Sequence, residues 1–438
     1  MQIRRERRMA WLIVFLLALL YIINFMDKAV IGLSAVHIMK EMGLTPVEFG
    51  LLNSVFFLLF IPLQLIGGLL ADRFQSRRIL LIMAVSWSVA MLPILIPAGF
   101  GVLLASRMLL GAGEGPTSPV AIHAMYKWFP NEERAIPNAF YMMGPAIAMI
   151  VGTPFMVWII NQFGWRIAFG VLGLFSLTWA IVWLVVGREG EEGMVPAQEV
   201  SPDARPSALA YLRLVGTRTF IGCMLLAFPS YFAVTLIFSW LPHFLQSALG
   251  FTPGGSSMMI SFAWMIAAVG PILVSLVSQQ MLKRGASIRL ARGVVSALLV
   301  IGSGVLTVVG AYLIPDATAK AVLLVIALSM SVVCNPMLFT LIGQFSPVSL
   351  RGGLIGIFGA STVSAGFIAP LAMGKAIETG ATEYQGYLFG FAAFGVAQLT
   401  CGVVAALLID PERDEQRHAR RVQELGLARE AGVRALPQ

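Results

Sequence analysis

Charged side chains are scarce in this sequence. Asp, Glu, Lys and Arg together make up 12% of its 438 residues, whereas 58% are hydrophobic, and the mean hydropathy is +0.84. A soluble globular protein carries about 25% charged residues, and the deficit here extends along the whole chain. This composition excludes an ordinary soluble domain and predicts an integral membrane protein.

Cysteine is scarce as well. The three cysteines, Cys223, Cys334 and Cys401, all fall in apolar segments, and their spacing fits neither a disulfide framework nor a metal site. The histidines add no second His or Cys at the spacing of metal ligands. We therefore expect no metal and no cofactor. No spacing typical of a nucleophile and its base is present either, so we expect a protein that is not an enzyme.

Long apolar runs are what the sequence does contain. Runs of about 20 residues, enough to cross a bilayer, follow one another from Trp11 to Ile409. Backbone groups in lipid must form their hydrogen bonds within the segment, so such runs form helices. The pattern predicts an all-α integral membrane protein with about twelve helices, near 11–36, 49–71, 79–97, 102–126, 138–160, 167–187, 219–245, 257–280, 290–313, 321–342, 353–375 and 386–409.

Residues 188–218 interrupt this pattern and predict a cytoplasmic linker. The segment is polar and rich in turn formers, including Pro196, Pro202 and Pro206. It divides the chain into residues 1–187 and 219–409, which contain six apolar runs each. Equal halves suggest duplication, and we expect two six-helix bundles with pseudo-two-fold symmetry, with substrate bound between them near the midplane. Residues 410–438 are charged and predict a solvated cytoplasmic tail.

The net charge of +8 follows the predicted membrane topology. Of the 30 lysines and arginines, 24 lie in the termini, the linker and the loops on the same side of the predicted helices. This asymmetry is the positive-inside bias, which predicts a multi-pass protein of the cell membrane with both termini in the cytoplasm. The basic residues therefore predict contact with the lipid bilayer and no binding of nucleic acid.

Four charged residues fall well inside predicted helices: Asp27, Lys28, Arg107 and Glu114. A charge at the centre of a bilayer costs about 2.5–3.5 kcal/mol even on the lenient insertion scale. Arg107 and Glu114 share one helix face but are separated by about 10 Å along the axis, because each residue rises about 1.5 Å. That separation is too long for a direct ion pair, so each side chain must find its partner elsewhere.

These charges suggest a mechanism. Their formal sum is zero, and a carboxylate in such surroundings can bind and release a proton near neutral pH. An arginine stays charged and presents a fork that matches a carboxylate. The set therefore predicts coupling of an anion to protons. The alternative is a group of salt bridges between helices that only fixes their packing.

The loop after the second predicted helix resembles a known family signature. It reads Gly68-Leu69-Leu70-Ala71-Asp72-Arg73-Phe74-Gln75-Ser76-Arg77-Arg78, which is similar to the pattern G-x-L-A-D-R-x-G-R-[RK] of the major facilitator superfamily. Gln75 departs from the pattern, which has glycine at that position. The resemblance implies a conformational latch between the two halves, formed by Gly68, Asp72, Arg73, Arg77 and Arg78.

Further segments resemble the anion:cation symporter branch of that superfamily, which includes carriers of sugar acids, aromatic acids and related organic anions. These segments are Asn24-Phe25-Met26-Asp27-Lys28, 107–116, 127–134, Gly164-Trp165-Arg166, Trp240-Leu241-Pro242, Arg351-Gly352 and 366–370. The resemblance implies proton coupling by Asp27 and Glu114, and binding of the substrate carboxylate by Arg107. It also implies that the rest of the substrate site includes Asn24, Phe25, Lys28 and Ser361.

Departures from that branch bear on the substrate. Relatives usually have tyrosine at the position of Phe25 and often carry asparagine where this chain has Ser361, Thr362 and Ser364. Because these changes remove hydrogen-bonding capacity, we expect a substrate with fewer hydroxyl groups than a sugar acid. The expected function is proton-coupled import of a small organic anion by a protein that works as a monomer.

Two alternatives remain open at this point. An exporter or exchanger of the same superfamily is suggested by Gly144-Pro145 and Gly152-Thr153-Pro154 in the fifth predicted helix, since drug/proton antiporters have a similar fifth helix. A membrane receptor built on a transporter fold is the alternative from another class, although the linker and tail are too short to hold a signalling domain.

Overall fold

A computed structural model describes residues 2–97, 99–130, 133–190, 208–346 and 348–414. All regular elements within these ranges are helical, and eleven helical segments are long and apolar enough to cross a membrane. The sequence predicted about twelve. The difference is the fourth predicted helix, which the structure divides into two shorter helices.

The described residues of the first half form ten α-helices: α1 (Gln2–Leu33), α2 (Ala35–Met42), α3 (Pro46–Arg73), α4 (Ser76–Met91), α5 (Phe100–Glu114), α6 (Thr117–Tyr126), α7 (Ala135–Met142), α8 (Gly144–Ile147), α9 (Thr153–Phe163) and α10 (Trp165–Val186). A 3₁₀ turn at Leu92–Leu95 extends α4, and a π-helical turn at Ala148–Gly152 joins α8 to α9. The helices α7 to α9 therefore form a single span.

Ten more α-helices lie in the described ranges of the second half: α11 (Ala208–Val215), α12 (Arg218–Ser239), α13 (Leu241–His243), α14 (Pro253–Lys283), α15 (Val295–Tyr312), α16 (Ala317–Val332), α17 (Asn335–Phe345), α18 (Val348–Val363), α19 (Ala365–Thr379) and α20 (Glu383–Leu408). The pairs α16–α17 and α18–α19 each form one span, and α15 continues a π-helical turn at Arg289–Val294. The ends of the spans differ by several residues from the ends predicted from the sequence.

The break between α5 and α6 has a local cause. Gly115 and Pro116 separate the two helices, and proline has no backbone N–H to continue the helical hydrogen bonds. Here α5 packs closely on α3, because a Cβ atom on Gly115 would lie 2.5 Å from the carbonyl oxygen of Phe60 and one on Gly111 would overlap the carbonyl oxygen of Phe56. Small residues four apart permit this approach between membrane helices.

The two bundles pack together near one end of the molecule. We call this end the far side, marked by Met42 and Pro46, and the opposite end, where α1 and α12 begin, the terminus side. The principal contacts between the bundles pair α3 with α19, α9 with α14, and α1 with α12. The contact of α3 with α19 depends on glycine at two points, since a Cβ atom on Gly50 would lie 2.6 Å from the Pro370 carbonyl oxygen and one on Gly374 would overlap the Pro46 carbonyl oxygen.

The described ends of the predicted linker and tail pack against the bundles. Glu189 accepts hydrogen bonds from the backbone N–H groups of Ser76 and Arg77 at the start of α4, at 3.2 and 2.9 Å. Asp414 accepts a hydrogen bond from the N–H of Thr219 at 2.9 Å and is 9% exposed. The predicted tail is therefore still packed against the second bundle at Asp414. Residues 191–207 and 415–438 lie outside the described part of the chain.

Candidate functional site

Three polar side chains inside the first bundle form a closed hydrogen-bonded group. Lys28 Nζ lies 2.5 Å from Glu114 Oε2 and donates a second hydrogen bond of 2.5 Å to Asn24 Oδ1. Asn24 Nδ2 donates to the same Glu114 oxygen at 2.8 Å. All three residues are at most 6% exposed. Because an amide and an ammonium share one carboxylate oxygen, α1 and α5 are joined by a buried, charge-assisted contact.

Asp27 is adjacent in sequence to Lys28 but is not part of this group. It is fully buried, and neither of its carboxylate oxygens has a hydrogen-bond partner among the described residues. It lies close enough to Glu114, Lys28 and Arg107 to interact electrostatically with each. Since a buried charge without a partner is costly, Asp27 is a candidate for binding a proton.

Arg107 is the second member of the cluster without a polar partner. Its guanidinium lies over the ring of Phe56, with 4.8 Å between Cζ and the ring centroid, and the residue is 2% exposed. Its Nε and Nη1 atoms have no hydrogen-bond partner within the described ranges. The position of α5 against α3 places the guanidinium here, and the free donors suit an anion with two oxygens.

Aromatic rings surround the cations and extend to the second bundle. Lys28 Nζ lies 5.1 Å from the ring centroids of Phe25 and Phe60 and 5.4 Å from that of Phe56. The Phe25 ring also contacts Trp264 of α14, at 5.9 Å between centroids. Phe25, which was predicted as a substrate residue, therefore lies between the charged cluster and the second bundle.

Ser361, the remaining predicted substrate residue, lies apart from this cluster. It is half-buried on α18, where its backbone carbonyl accepts a hydrogen bond from the Ser364 hydroxyl at 2.6 Å. In this conformation the described contacts of Ser361 remain within the second bundle. Its role in substrate binding stays a prediction.

The predicted latch lies on the terminus side. Gly68 and Asp72 belong to α3, but their side-chain positions lie outside what the structure describes. Arg73 and Arg78 are exposed, and Arg77 Nη2 donates to the carbonyl oxygen of Leu184 at 2.8 Å. The described contact of Arg77 is therefore made within the first bundle, and the latch between the bundles stays a prediction.

Sequence reasoning missed two residues that face the cluster from the second bundle. Tyr231 of α12 makes an edge contact with Phe57 of α3, at 6.3 Å between ring centroids. Trp264 is 9% exposed, and its indole Nε1 has no hydrogen-bond partner in the described part of the chain. Neither residue has a sequence signal, because aromatic residues are common in apolar helices.

No metal site is visible in the described ranges, where no three His, Cys, Asp or Glu side chains group as ligands. In and next to the cluster, the groups without a hydrogen-bond partner among the described residues are the Arg107 guanidinium, the Asp27 carboxylate, Oε1 of Glu114 and the Trp264 indole N–H. This set of groups suits an organic anion and a proton.

The chain is similar in sequence to known bacterial transporters. The chain is 28% identical over 431 residues to the probable sulfoacetate transporter of Cupriavidus necator. The aligned segment covers 93% of this chain and 97% of that protein. It is 26% identical to the D-galactonate transporter of Escherichia coli O6:H1, with coverages of 84% and 89%. It is 25% identical to the hexuronate transporter of Bacillus subtilis, with coverages of 72% and 75%.

Solved structures show the same fold. A bacterial homologue of the human lysosomal transporter Spinster, in an inward-facing and unoccupied conformation, superposes with a TM-score of 0.77 at 19% identity, covering 93% of this chain and 98% of that one. A D-xylose–proton symporter gives a TM-score of 0.73 at 17% identity, with coverages of 92% and 98%. The sequence profile of the Major Facilitator Superfamily matches residues 17–370. The chain therefore belongs to the major facilitator superfamily.

Proposed function

We propose that this protein imports a small organic anion, a carboxylate, together with protons by alternating access between its two bundles. The observation that carries the proposal is the pair of unpartnered groups in the buried cluster, the Arg107 guanidinium and the Asp27 carboxylate. Ionisable groups inside a membrane are expensive to bury and mark the path of a substrate or proton. A substrate or proton that binds these groups during the transport cycle would supply the partner that each one lacks.

Arg107 is the proposed receptor for the substrate carboxylate. Its Nε and Nη1 donors have no hydrogen-bond partner within the described ranges, and a guanidinium available in this way can form a two-pronged contact with one carboxylate. The relatives support an anionic substrate, because sulfoacetate, D-galactonate and hexuronate all carry a carboxylate group. The sequence-based assignment of Asn24 and Lys28 to the substrate site is modified in this proposal, since both now contact Glu114.

Asp27 and Glu114 are the proposed proton carriers. With all four side chains ionised, the cluster of Asp27, Lys28, Arg107 and Glu114 has no net charge. Binding of a substrate anion adds one negative charge, and a proton on either acid removes it again. Because an excess charge is expensive in a low-dielectric site, anion binding and proton binding should favour each other. Protons are therefore the proposed coupling ion, and no other cofactor is needed.

We further propose that the protein lies in the cell membrane with both termini in the cytoplasm. The basic residues of the terminus side support this orientation. The packing of α3 on α19 would then close the outward-facing end, and the cluster would be reached from the cytoplasm. We expect a functional monomer without enzymatic activity, because each chain contains both bundles.

The proposal is tested by binding to the purified protein. A panel of organic acids is screened by thermal shift, since a ligand that binds only the native state must stabilise it. We expect at least one carboxylate to raise the melting temperature of the wild type and to have no effect on Arg107→Ala. If no carboxylate stabilises the protein, or if Arg107→Ala responds like the wild type, the substrate assignment is wrong.

A further inference from the structure

The groups that face the charged cluster from the second bundle define what kind of anion fits there. Two of them are the rings of Tyr231 and Trp264. Tyr231 is half-buried and contacts Phe57 across the boundary between the bundles, at 6.3 Å between ring centroids. Trp264 contacts Phe25 at 5.9 Å, and Phe25 in turn lies 5.1 Å from Lys28 Nζ. Aromatic faces of the second bundle therefore lie next to the rings that surround the cations.

Trp264 also brings a polar group that the fold does not use. It is 9% exposed, and its Nε1 donor has no hydrogen-bond partner within the described ranges. A buried indole N–H usually finds an acceptor. The unpartnered donors of Arg107 and Trp264 thus lie in opposite bundles, with aromatic rings between them.

We propose that the substrate is a carboxylate with a flat body, such as an aromatic acid, with its carboxylate on Arg107 and its body against Tyr231 and Trp264. This inference rests on the proposed function and narrows it to one substrate class. Stacking on the rings favours a planar body, and the free Trp264 donor can bind a second oxygen of the ligand. Tyr231 and Trp264 are then the residues that determine specificity.

The test uses matched anions on the purified, full-length protein. Calorimetry compares benzoate with cyclohexanecarboxylate, which has the same charge and a similar size but no flat ring, and with D-galactonate and sulfoacetate. We expect benzoate to bind at least about tenfold more tightly than each of the other three. Equal or tighter binding of D-galactonate or sulfoacetate overturns the inference but leaves the proposed function standing. No binding of any carboxylate contradicts both.

Substitutions of Tyr231 and Trp264 test whether these two residues cause the preference for benzoate. Tyr231→Leu and Trp264→Leu should each weaken benzoate binding about tenfold, with D-galactonate changed less than twofold. Trp264→Phe keeps a ring without the N–H, and it should retain the preference for benzoate over cyclohexanecarboxylate. Trp158→Leu is the matched control, because Trp158 is 52% exposed on the outer surface of α9. Size-exclusion profiles confirm folding. A benzoate preference that is unchanged in both Tyr231→Leu and Trp264→Leu would assign specificity to other residues.

Discussion

Lys28 and Glu114 form a buried ion pair that joins α1 to α5, with 2.5 Å between Nζ and Oε2 and side-chain exposures of 6% and 0%. The pair divides the four intramembrane charges into two matched and two unmatched groups. Lys28 pairs with Oε2 of Glu114 with the help of Asn24, whereas within the described chain both oxygens of Asp27 and the Nε and Nη1 donors of Arg107 have no hydrogen-bond partner. Oε1 of Glu114 is also unpartnered there. These unpartnered groups are those we expect to exchange protons or substrate.

The first prediction concerns this ion pair. Lys28→Met should lower the free energy of unfolding by about 3 kcal/mol, because it leaves the Glu114 charge buried without its partner. The double variant Lys28→Met/Glu114→Gln should recover most of the loss. Thermal unfolding in detergent at pH 8 measures both. Lys375→Met is the control, since its partner Glu378 is on the surface and the pair should contribute little. Equal stability of the single and double variants would contradict the account.

The second prediction concerns Arg107. Arg107→Ala should weaken binding of the substrate anion about a hundredfold, which corresponds to about 3 kcal/mol and to the loss of two charge-assisted hydrogen bonds. Arg107→Lys should recover only part of this affinity, because lysine supplies the charge without the fork. Calorimetry with the ligand found in the binding screen gives the numbers. Wild-type affinity in Arg107→Lys would show that charge alone is recognised.

The third prediction concerns closure of the far side. Gly50→Ala should favour a conformation in which α3 and α19 separate, because its Cβ would lie 2.6 Å from the backbone oxygen of Pro370. Ser54, fully buried one turn further along α3, is replaced by cysteine in a background without the three natural cysteines. Its labelling rate should rise severalfold in Gly50→Ala. Gly356→Ala is the control, since nothing lies within 4 Å of its Cβ position. An unchanged rate in Gly50→Ala means that this contact does not hold the far side closed.

The fourth prediction concerns two acids that follow the last span of each half. Glu189 binds the N–H groups at the start of α4, and Glu412 accepts a hydrogen bond from the N–H of Ile288 at 2.9 Å, at the start of the span of α15. The two acids thus occupy corresponding positions in the bundles. Glu189→Gln and Glu412→Gln should each lower stability by about 1–2 kcal/mol, because a negative charge at a helix N-terminus is lost.

Glu189 also gives this prediction a pH dependence. Burial raises the pKa of its carboxyl, but the hydrogen bonds from Lys127 and from the backbone of Arg77 and Ser76 outweigh burial, so the pKa lies below the ordinary value of 4.5. A lowered pKa contributes stability that is present above about pH 4.5 and is lost as the pH falls through the folded-state value. The difference between wild type and Glu189→Gln should therefore shrink below pH 4.5. A constant difference would mean that the charge is not the cause.

The sequence predicted the membrane fold and the four intramembrane charges, because both follow from local hydrophobicity and from the cost of burying charge. It did not predict which charges pair. Lys28 of α1 pairs with Glu114 of α5, 86 residues further along the chain, and which helices pack side by side is a long-range property. The Gly115-Pro116 break was present in the sequence, but the apolar run continued across it and predicted one helix. The position of Tyr231 and Trp264 next to the charged cluster is visible only when the two bundles are packed together.

Proton coupling is the central claim, and uptake into liposomes that contain the purified protein tests it most directly. The substrate found in the binding screen is supplied outside, with and without an inward proton gradient, and exchange at equal pH is measured in parallel. We predict that the gradient drives accumulation in the wild type and in the surface control Glu378→Gln. We predict no accumulation in Asp27→Asn or Glu114→Gln, with exchange retained in at least one of them. Full gradient-driven accumulation in both Asp27→Asn and Glu114→Gln would contradict the account.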